Sequence, residues 1–431
     1  MKKGILMTLS LMFILTACTG VPAPSPGGGD TTAAPSRSAA PAVQPVAYKA
    51  ALVRQPVGPL DAAFVNGINA FGFKAAGMLY SRDKNLAISP VSIELALAMT
   101  RTGAAGETAK EMAEALSLQG LSDEQIVSAC KALMWRANTG GMKAANSLWV
   151  YEGYPFSKDF IKGCTDDFMA DVMPLKIPGA MGDINKWAKE NTNGKIDKIL
   201  SREPDEMTRL ILCNALYFLG KWETPFDAND TFDEQFNAAG GAVTTSFMHG
   251  QWGIRYYEDD KFSMIALPFK SGDGEGKYAM AFMLPKEGTD LSGMLSALDS
   301  GGFSKAVLGL AARQVKVSLP KFKFSYYTQL NDTLKGLGMK AAFSDQADFG
   351  PMTGSDNDLY VSDVLHKCFI SVDELGAEAA AVTAVEMRLT AVMPGDDVTV
   401  FNADRPFAFA VYSVEDGAVA FMGAVNNPAA E

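Results

Sequence analysis

The stretch "VSDVLHKCFISVDELGAEAAAVTAVEMRLTAVMPGDD", residues 361–397, joins two patterns that predict different structures. Residues 361–374 form a Val- and Ile-rich run bounded by polar residues, which predicts a β-strand. Residues 374–397 are rich in Ala, carry Glu and Arg, and end at a Pro-Gly turn, a composition that favours a helix. A strand is therefore followed at once by a small-residue segment whose structure the composition leaves ambiguous.

A count of alternate residues offers a second interpretation of this segment, as an interior strand. Alternate side chains of a strand face opposite sides of its sheet. One alternating set carries no charge and consists of Ala377, Ala379, Ala381, Thr383, Val385, Met387 and Leu389. The other set holds every charge and consists of Glu378, Ala380, Val382, Ala384, Glu386 and Arg388. The segment therefore has the period of a strand, and the helical alternative remains open.

The N-terminus has the pattern of a secretion signal. Two lysines precede an apolar run that ends at Ala17 and is too short to span a bilayer. Leu15-Thr16-Ala17-Cys18 resembles the lipobox of bacterial lipoproteins, in which the cysteine becomes the lipidated N-terminus. We therefore expect residues 1–17 to be a signal peptide and Cys18 to carry a membrane anchor.

Composition also divides the rest of the chain. Residues 18–59 are dominated by Pro, Ala, Ser, Gly and Thr and predict a flexible linker, so the folded domain is expected over residues 60–428.

The formal charge of -11 argues against nucleic acid as a partner, because phosphate binding needs clustered Lys and Arg. The expected location is the bacterial cell envelope, outside the cytoplasm, with periplasmic and surface-exposed display both open.

Enzyme motifs are weak. Ser81 and Ser355 lie in fragments of a penicillin-binding signature, but the fragments come in the wrong order, so we do not expect a hydrolase or another enzyme. Only the histidines His249 and His366 are present, without a metal-ligand spacing near either, and no metal or cofactor is expected.

Cys213 and Cys368 lie in apolar runs and are expected to be buried thiols. A disulfide between Cys130 and Cys164 stays open.

The rest of the sequence contains both helix and strand patterns. Ser89 is a candidate helix cap with Pro90 in the first turn, residues 208–222 form a long apolar run typical of a central strand, and two strands joined at residues 415–417 predict a hairpin. Helices dominate the first half and strands the second. The fold class is therefore α+β.

Together these segments resemble the serpin family over a region from about Phe64 to Pro428. The stretches that carry the resemblance are "NLAISPVSIELALAM", "GAAGETAKEM", "INKWAKENTNGKI", "TRLILCNALYFLGKWETPF", "VSLPKFKF", "VLHKCFISVDELGAEAAAVTA", "FNADRPFAFAVY" and "FMGAVNNP". The resemblance implies three β-sheets, about nine helices and an exposed reactive-centre loop. It also implies a monomer that traps a serine protease as a covalent acyl complex, when the cleaved loop inserts into the main sheet.

The resemblance assigns residues as well. Its hinge comprises Glu374, Gly376, Ala377, Glu378, Ala379, Ala380, Ala381 and Thr383. Its shutter, a polar cluster beneath the centre of the sheet, comprises Ser89, Ser92, Asn214 and His366. Its breach, at the top of the sheet, comprises Trp222, Lys321 and Glu374. Ala377 and Leu375 depart from the family pattern, which usually has Thr or Ser after the hinge glycine and a polar residue before it.

The bait residue and the function each keep an alternative. Counting from Glu374 places the scissile bond at Thr390-Ala391, which suits elastase-like or broad-specificity proteases, whereas Arg388-Leu389 suits a trypsin-like enzyme. Cysteine proteases are a further target class. The alternative function is a non-inhibitory serpin that acts as a binding protein.

Overall fold

The computed structural model describes residues 7–17, 60–139, 142–192, 194, 196–218, 220–270, 278–298, 300–354, 359–377 and 398–430. Ten α-helices lie in these residues: α1 (Ala62–Leu79), α2 (Pro90–Arg101), α3 (Gly106–Ala115), α4 (Asp123–Thr139), α5 (Lys158–Phe168), α6 (Ala180–Asn191), α7 (Leu291–Ala297), α8 (Ser300–Leu308), α9 (Asn331–Gly336) and α10 (Gly350–Thr353). Within the same residues, no helix combines the length and the apolar character needed to cross a membrane.

The described residues also form seventeen strands. They are β1 (Met7–Ala17), β2 (Leu86–Ile88), β3 (Met142–Tyr151), β4 (Ala170–Leu175), β5 (Thr208–Phe218), β6 (Gly220–Lys221), β7 (Thr231–Ala238), β8 (Gly241–Glu258), β9 (Phe262–Pro268), β10 (Tyr278–Pro285), β11 (Ala311–Pro320), β12 (Phe322–Gln329), β13 (Leu359–Val372), β14 (Gly376–Ala377), β15 (Thr399–Asn402), β16 (Phe407–Ser413) and β17 (Val419–Val425).

These strands make three sheets. The main sheet has six strands in the order β12-β13-β1-β5-β3-β4. A nine-stranded sheet has the order β15-β11-β8-β9-β10-β16-β17-β2, with β7 added to β8, and β14 pairs with β6 in the third sheet. The predicted α+β class with three sheets is confirmed, and the predicted hairpin is the antiparallel pair β16 and β17.

Strand β5 shows why the main sheet lies inside the protein. Leu210, Leu212 and Leu216 belong to the larger apolar core, and the alternate residues Ile211 and Cys213 belong to a second core against α6. A strand with apolar residues in both alternating sets is stable only when both faces of its sheet are covered. The long apolar run in the sequence therefore predicts this position correctly.

Helix α2 packs beneath this sheet and brings its cap to the centre. The side chain of Ser89 accepts a hydrogen bond from the Ser92 backbone N–H at 3.1 Å, and Pro90 occupies the first turn. The cap satisfies an N–H group that a helix start leaves without a partner, and Pro has no N–H to lose there. Both features match the prediction from the sequence.

The position of β1 was not expected from the sequence. Residues 7–17, predicted to be a signal peptide outside the domain, form an interior strand that is antiparallel to β5 on one side and to β13 on the other. The physical reason is that an apolar secretion signal and a buried strand have similar compositions. Cleavage before Cys18, which lies outside the described residues, stays a prediction.

Candidate functional site

The site begins where β13 ends. The chain turns at Asp373, and Gly376 forms a β-bridge back to Asp373. Gly376 and Ala377 then form β14, antiparallel to Lys221 and Gly220 of β6. The first two residues after the turn therefore already lie as a strand between the end of β13 and the continuation of β5. We call the position between β5 and β13, at present occupied by residues 7–17, the slot.

Gly376 is required by geometry at this turn. Its φ is +125°, a backbone conformation that favours glycine. A Cβ atom built on it would lie 2.3 Å from the Gly220 carbonyl oxygen and 2.8 Å from the Trp222 nitrogen. Any side chain would therefore separate β14 from β6.

The breach residues are in contact around this turn. Lys321 Nζ donates to both carboxylate oxygens of Glu374 at 2.9 Å. Burial is the largest single influence on the pKa of Glu374 and raises it, but the hydrogen bonds that the carboxylate accepts and the charge of Lys321 together lower this pKa. The Glu374 carbonyl also accepts from the Phe226 backbone N–H at 2.9 Å. The turn is therefore held through both its backbone and its carboxylate.

Trp222 covers the turn from below. Its indole Nε1 donates to the Asp373 carbonyl at 2.9 Å, and its backbone N–H donates to the Leu375 carbonyl at 3.1 Å. The ring stacks on Phe269 with centroids 4.6 Å apart. Leu375 itself is 39% exposed, so the position before the hinge glycine does not require a polar side chain.

The shutter residues meet under the middle of the slot. The backbone N–H of Ser89 donates to His366 Nε2 at 3.3 Å, and the Ser92 hydroxyl donates to the Asn214 side-chain oxygen. All four shutter side chains are fully buried. His366 and Asn214 lie on opposite sides of the slot, because Leu11 of β1 is the residue paired with each of them.

Burial sets the charge of the shutter. It lowers the pKa of His366 to about 3, so the ring is neutral at physiological pH. Because Nε2 accepts a hydrogen bond from the Ser89 N–H, Nδ1 carries the ring hydrogen, and Nδ1 has no hydrogen-bond partner among the described residues. The shutter therefore holds a buried ring N–H group that lacks an acceptor among the described residues.

Several residues of the site were missed by sequence reasoning. Asn146 accepts from the Asn214 amide at 2.8 Å and so extends the shutter to β3. Cys368 Sγ lies 3.3 Å from His366 Nε2. Phe269 and Gly220 support Trp222 and Gly376. Asn146 and Phe269 are ordinary strand residues in the sequence, and only the tertiary pairing makes them part of the site.

The remaining candidate residues divide into two groups. Cys18, Ser355, both proposed scissile bonds at Thr390-Ala391 and Arg388-Leu389, and the hinge residues Glu378, Ala379, Ala380, Ala381 and Thr383 lie outside the described residues. Ser81 accepts the Asp83 backbone N–H in an exposed turn at 3.3 Å. His249 stacks on Phe232, and its ring nitrogens lie within hydrogen-bond distance of Asp230 and Glu234.

The four cysteines of the folded region are buried and free. The open alternative of a disulfide between Cys130 and Cys164 is therefore wrong in this structure. Burial raises the pKa of all four thiols, so they are protonated at neutral pH and poor nucleophiles.

Comparison with known proteins agrees with this arrangement. The family model described as serpin (serine protease inhibitor) matches residues 66–428. An uncharacterized serpin-like protein of Thermococcus kodakarensis is 34% identical over 439 aligned residues, which cover 99% of each chain. A serine protease inhibitor of Cyanea capillata is 33% identical, with 85% of this chain and 99% of its own covered.

A solved structure gives the same result for the fold. The native-state crystal structure of tengpin, a thermophilic serpin, superposes with a TM-score of 0.76 at 31% identity, covering 89% of this chain and 100% of tengpin. The sequence match, the three-sheet fold and the polar cluster beneath the main sheet agree with one another. The chain therefore belongs to the serpin family.

Proposed function

We propose that this serpin is not an enzyme but an irreversible suicide-substrate inhibitor of serine proteases, with elastase-like or broad-specificity enzymes as its main targets. The observation that carries the proposal is β14. The chain beyond β13 has already turned and begun a strand at the mouth of the slot. A loop that continued in that direction would add a strand to the main sheet between β5 and β13.

The register of β14 supports this continuation. Because both pairings are antiparallel, each later residue of the loop would pair with the residue one position earlier in β5 and one position earlier in β13. Position 379 then falls opposite Phe218 and Ile370, position 381 opposite Leu216 and Cys368, and position 383 opposite Asn214 and His366. These six partners are buried. The uncharged set of loop residues, Ala379, Ala381 and Thr383 among them, therefore faces the buried side.

Thr383 is suited to its place in this register. A hydroxyl accepts as well as donates hydrogen bonds, and position 383 falls opposite His366, whose Nδ1 has no acceptor among the described residues. A satisfied buried hydrogen bond contributes about 1 kcal/mol to stability. Insertion of the loop would thus provide the ring N–H of His366 with a hydrogen-bond acceptor, the Thr383 hydroxyl.

Whether the protease is trapped depends on the rate of loop insertion relative to the rate of hydrolysis of the acyl bond. A protease that attacks the loop forms an acyl bond to the bait residue, Thr390 in our proposal and Arg388 in the trypsin-like alternative. If the severed loop inserts before water hydrolyses that bond, the protease is carried along the sheet while still attached. Each ladder hydrogen bond adds about 1 kcal/mol, so a strand of a dozen residues supplies a large driving force.

Incubation with elastase-, trypsin- and subtilisin-like proteases tests the proposal. We expect a complex that survives denaturing electrophoresis, and mass mapping of the cut after Thr390. A cut after Arg388, together with a complex of the same stability, would instead identify Arg388 as the bait residue and trypsin-like enzymes as the targets. Cleavage without any stable complex would instead identify the chain as a non-inhibitory serpin.

We also propose that the inhibitor is anchored outside the cytoplasm to a membrane of the bacterial cell envelope through lipid on Cys18, with periplasmic and surface-exposed display both open. The support is the lipobox-like Leu15-Thr16-Ala17-Cys18 after a short apolar run. A radiolabelled fatty acid should be incorporated into the wild-type chain, and Cys18→Ser should abolish the label. Equal labelling of both proteins would exclude this anchor.

A further inference from the structure

A short segment that leads into β7 contacts Glu374, the hinge residue of the breach, at two points. The segment begins at Phe226, whose backbone N–H donates to the Glu374 carbonyl at 2.9 Å. It ends at Thr231, whose buried hydroxyl lies beside the Glu374 carboxylate. We call residues 226–231 the clamp, because its two ends contact the backbone and the side chain of the same hinge residue.

The clamp is folded as a compact turn. Residues Ala228–Asp230 form a single 3-10 turn. The Asp227 carboxylate accepts the Asn229 backbone N–H at 2.9 Å, and the Asp227 carbonyl accepts the Asp230 N–H at 3.0 Å. These local bonds shape the turn but do not attach it to the rest of the protein. The ladder between β7 and β8 begins only at Thr231, so the position of the turn depends on a further contact.

His249 of β8 makes this contact. Its Nδ1 lies 2.9 Å from the Asp230 carbonyl oxygen, and its Nε2 lies 3.2 Å from a carboxylate oxygen of Glu234. A carbonyl oxygen only accepts hydrogen bonds, so the first contact requires a hydrogen on Nδ1. His249 therefore holds Asp230, the last residue of the clamp before the ladder begins.

Phe232 shields the imidazole from water. Its ring stacks on His249 with the ring centroids 4.1 Å apart and the planes 6° from parallel. The His249 side chain is only 14% exposed, whereas Phe232 is 52% exposed, so the phenyl ring is the outer cover. A hydrogen bond is electrostatically stronger where water is excluded. This cover accounts for a large apolar side chain at the surface of β7.

Strands β7 and β8 also contact Lys321, the other partner of the breach ion pair. The Ser246 carbonyl of β8 accepts the Lys321 backbone N–H at 2.8 Å. The Ser246 hydroxyl donates to the Asp233 carboxylate of β7 at 2.8 Å. The two strands therefore contact both Lys321 and Glu374, and a displacement of the clamp would act on the hinge at its ion pair.

We propose that His249 is a positioning residue for the hinge: by holding Asp230 it keeps the clamp on Glu374 and so slows the departure of the hinge from the breach. Without the imidazole the clamp would keep its internal turn but lose its attachment at Asp230, and Glu374 would be released more often. The consequence for inhibition rests on the proposed function of the loop, whereas the contact itself does not.

Three substitutions of His249 separate its two ring contacts. His249→Asn places an amide nitrogen near the position of Nδ1 and keeps a donor for Asp230, whereas His249→Gln places one near Nε2 and keeps only a donor for Glu234. His249→Leu removes both donors. Gln251→Leu is the matched control, because Gln251 is exposed, lies on the same face of β8 and is opposite Lys316.

Hydrogen exchange of the Phe226 amide in the full chain is the readout, since this amide is bonded to the hinge only while the clamp is in place. We expect about fivefold faster exchange in His249→Leu and His249→Gln, the factor that follows from the loss of one typical net hydrogen bond. Exchange should be unchanged in His249→Asn and Gln251→Leu. The Ser413 amide, in the β16–β17 hairpin, should exchange at one rate in all of these proteins.

Phe232→Ala is the second variant should His249→Leu fail to fold. It uncovers the imidazole and leaves both ring contacts in place, so Phe226 exchange should be faster than in the wild type but by less than fivefold. Wild-type exchange in both Phe232→Ala and His249→Gln would overturn the proposal.

Three results on the exchange rates would also reject this role of His249. The first is a Phe226 rate in His249→Leu equal to that of the wild type. The second is an equally raised rate in His249→Asn and His249→Leu, because the contact with Asp230 would then not hold the clamp. The third is a matching rise at Ser413, which would show a general loss of stability in place of a local release.

Inhibition measures the consequence for the hinge. During incubation without protease, His249→Leu should lose its capacity to form complexes with elastase about fivefold faster than the wild type, because a hinge that has left the breach early no longer takes part in trapping. His249→Asn should lose it at the wild-type rate. Equal rates in all three proteins would contradict an effect on the hinge. A wild type that forms no complex at all would overturn the proposed function, and the exchange rates would still decide the role of His249.

Discussion

At the scale of single residues, Gly376 combines a positive φ with a lack of room for a Cβ atom. Gly376→Ala should cost more than the roughly 1–2 kcal/mol of a left-handed backbone alone, because its Cβ would also meet Gly220 at 2.3 Å. Gly417→Ala is the matched control, since Gly417 has a φ of +78° and a Cβ added there would have no neighbouring atom within 4 Å. Thermal melts of both proteins should show the larger loss for Gly376→Ala; equal losses would exclude the close approach.

Glu94 predicts a pH dependence of stability. It is fully buried in α2, neither carboxylate oxygen has a hydrogen-bond partner among the described residues, and burial raises its pKa well above 4.5. The folded protein therefore holds a proton that the unfolded chain has lost above pH 4.5, so this residue's contribution to stability falls as the pH rises from there through the folded pKa.

Glu94→Gln removes that dependence. The variant should be more stable than the wild type at pH 7, with a gain that shrinks as the pH falls and disappears below about pH 4, where the carboxyl is protonated in both states. Urea unfolding at several pH values measures the gain. A gain that stays constant with pH, or a loss at pH 7, would contradict a neutral buried carboxyl.

How much of the site the sequence predicts depends on the kind of residue. The family resemblance indicates Lys321, Glu374 and His366, because each lies in a long motif. Asn146 carries no such motif, and its amide becomes relevant only when β3 lies beside β5. Pairing between distant strands is not visible in one sequence.

At the scale of elements, the loop is expected to act as a strand with two unlike faces. Ala379→Arg places a charge opposite buried Phe218 and Ile370 and should convert inhibition into substrate turnover. Ala380→Arg, on the other face and opposite half-buried Phe369, is the matched control and should keep most of the inhibition. The ratio of complex to cleaved inhibitor on a denaturing gel measures both; equal ratios would reject the proposed register.

Two apolar segments show where element prediction from sequence succeeds and fails. The run of β5 predicts a covered strand correctly, since its length and its flanking residues favour no competing interpretation. Residues 7–17 are equally apolar, and the two lysines before them favour a targeting signal. Thr8 and Ser10 alternate with Leu9 and Leu11, a partial strand pattern that composition alone does not show.

At the scale of the whole molecule, the proposed function depends on one position of the main sheet, the slot between β5 and β13. The main sheet already has six strands with residues 7–17 in place. The proposed mechanism places the cleaved loop in this position once residues 1–17 have been removed at the expected cleavage site. The stored energy of the inhibitor is then the difference in free energy between an empty slot and a slot filled by the cleaved loop.

The most direct test is a comparison of melting temperatures before and after cleavage of the loop by elastase, in the protein that lacks residues 1–17. Insertion adds several kcal/mol of strand pairing, and each kcal/mol converts to roughly 2–4 °C, so the cleaved protein should melt at least about 10 °C higher than the intact one. A cleaved protein that melts at the same temperature as the intact one, or lower, would contradict insertion of the loop into the main sheet.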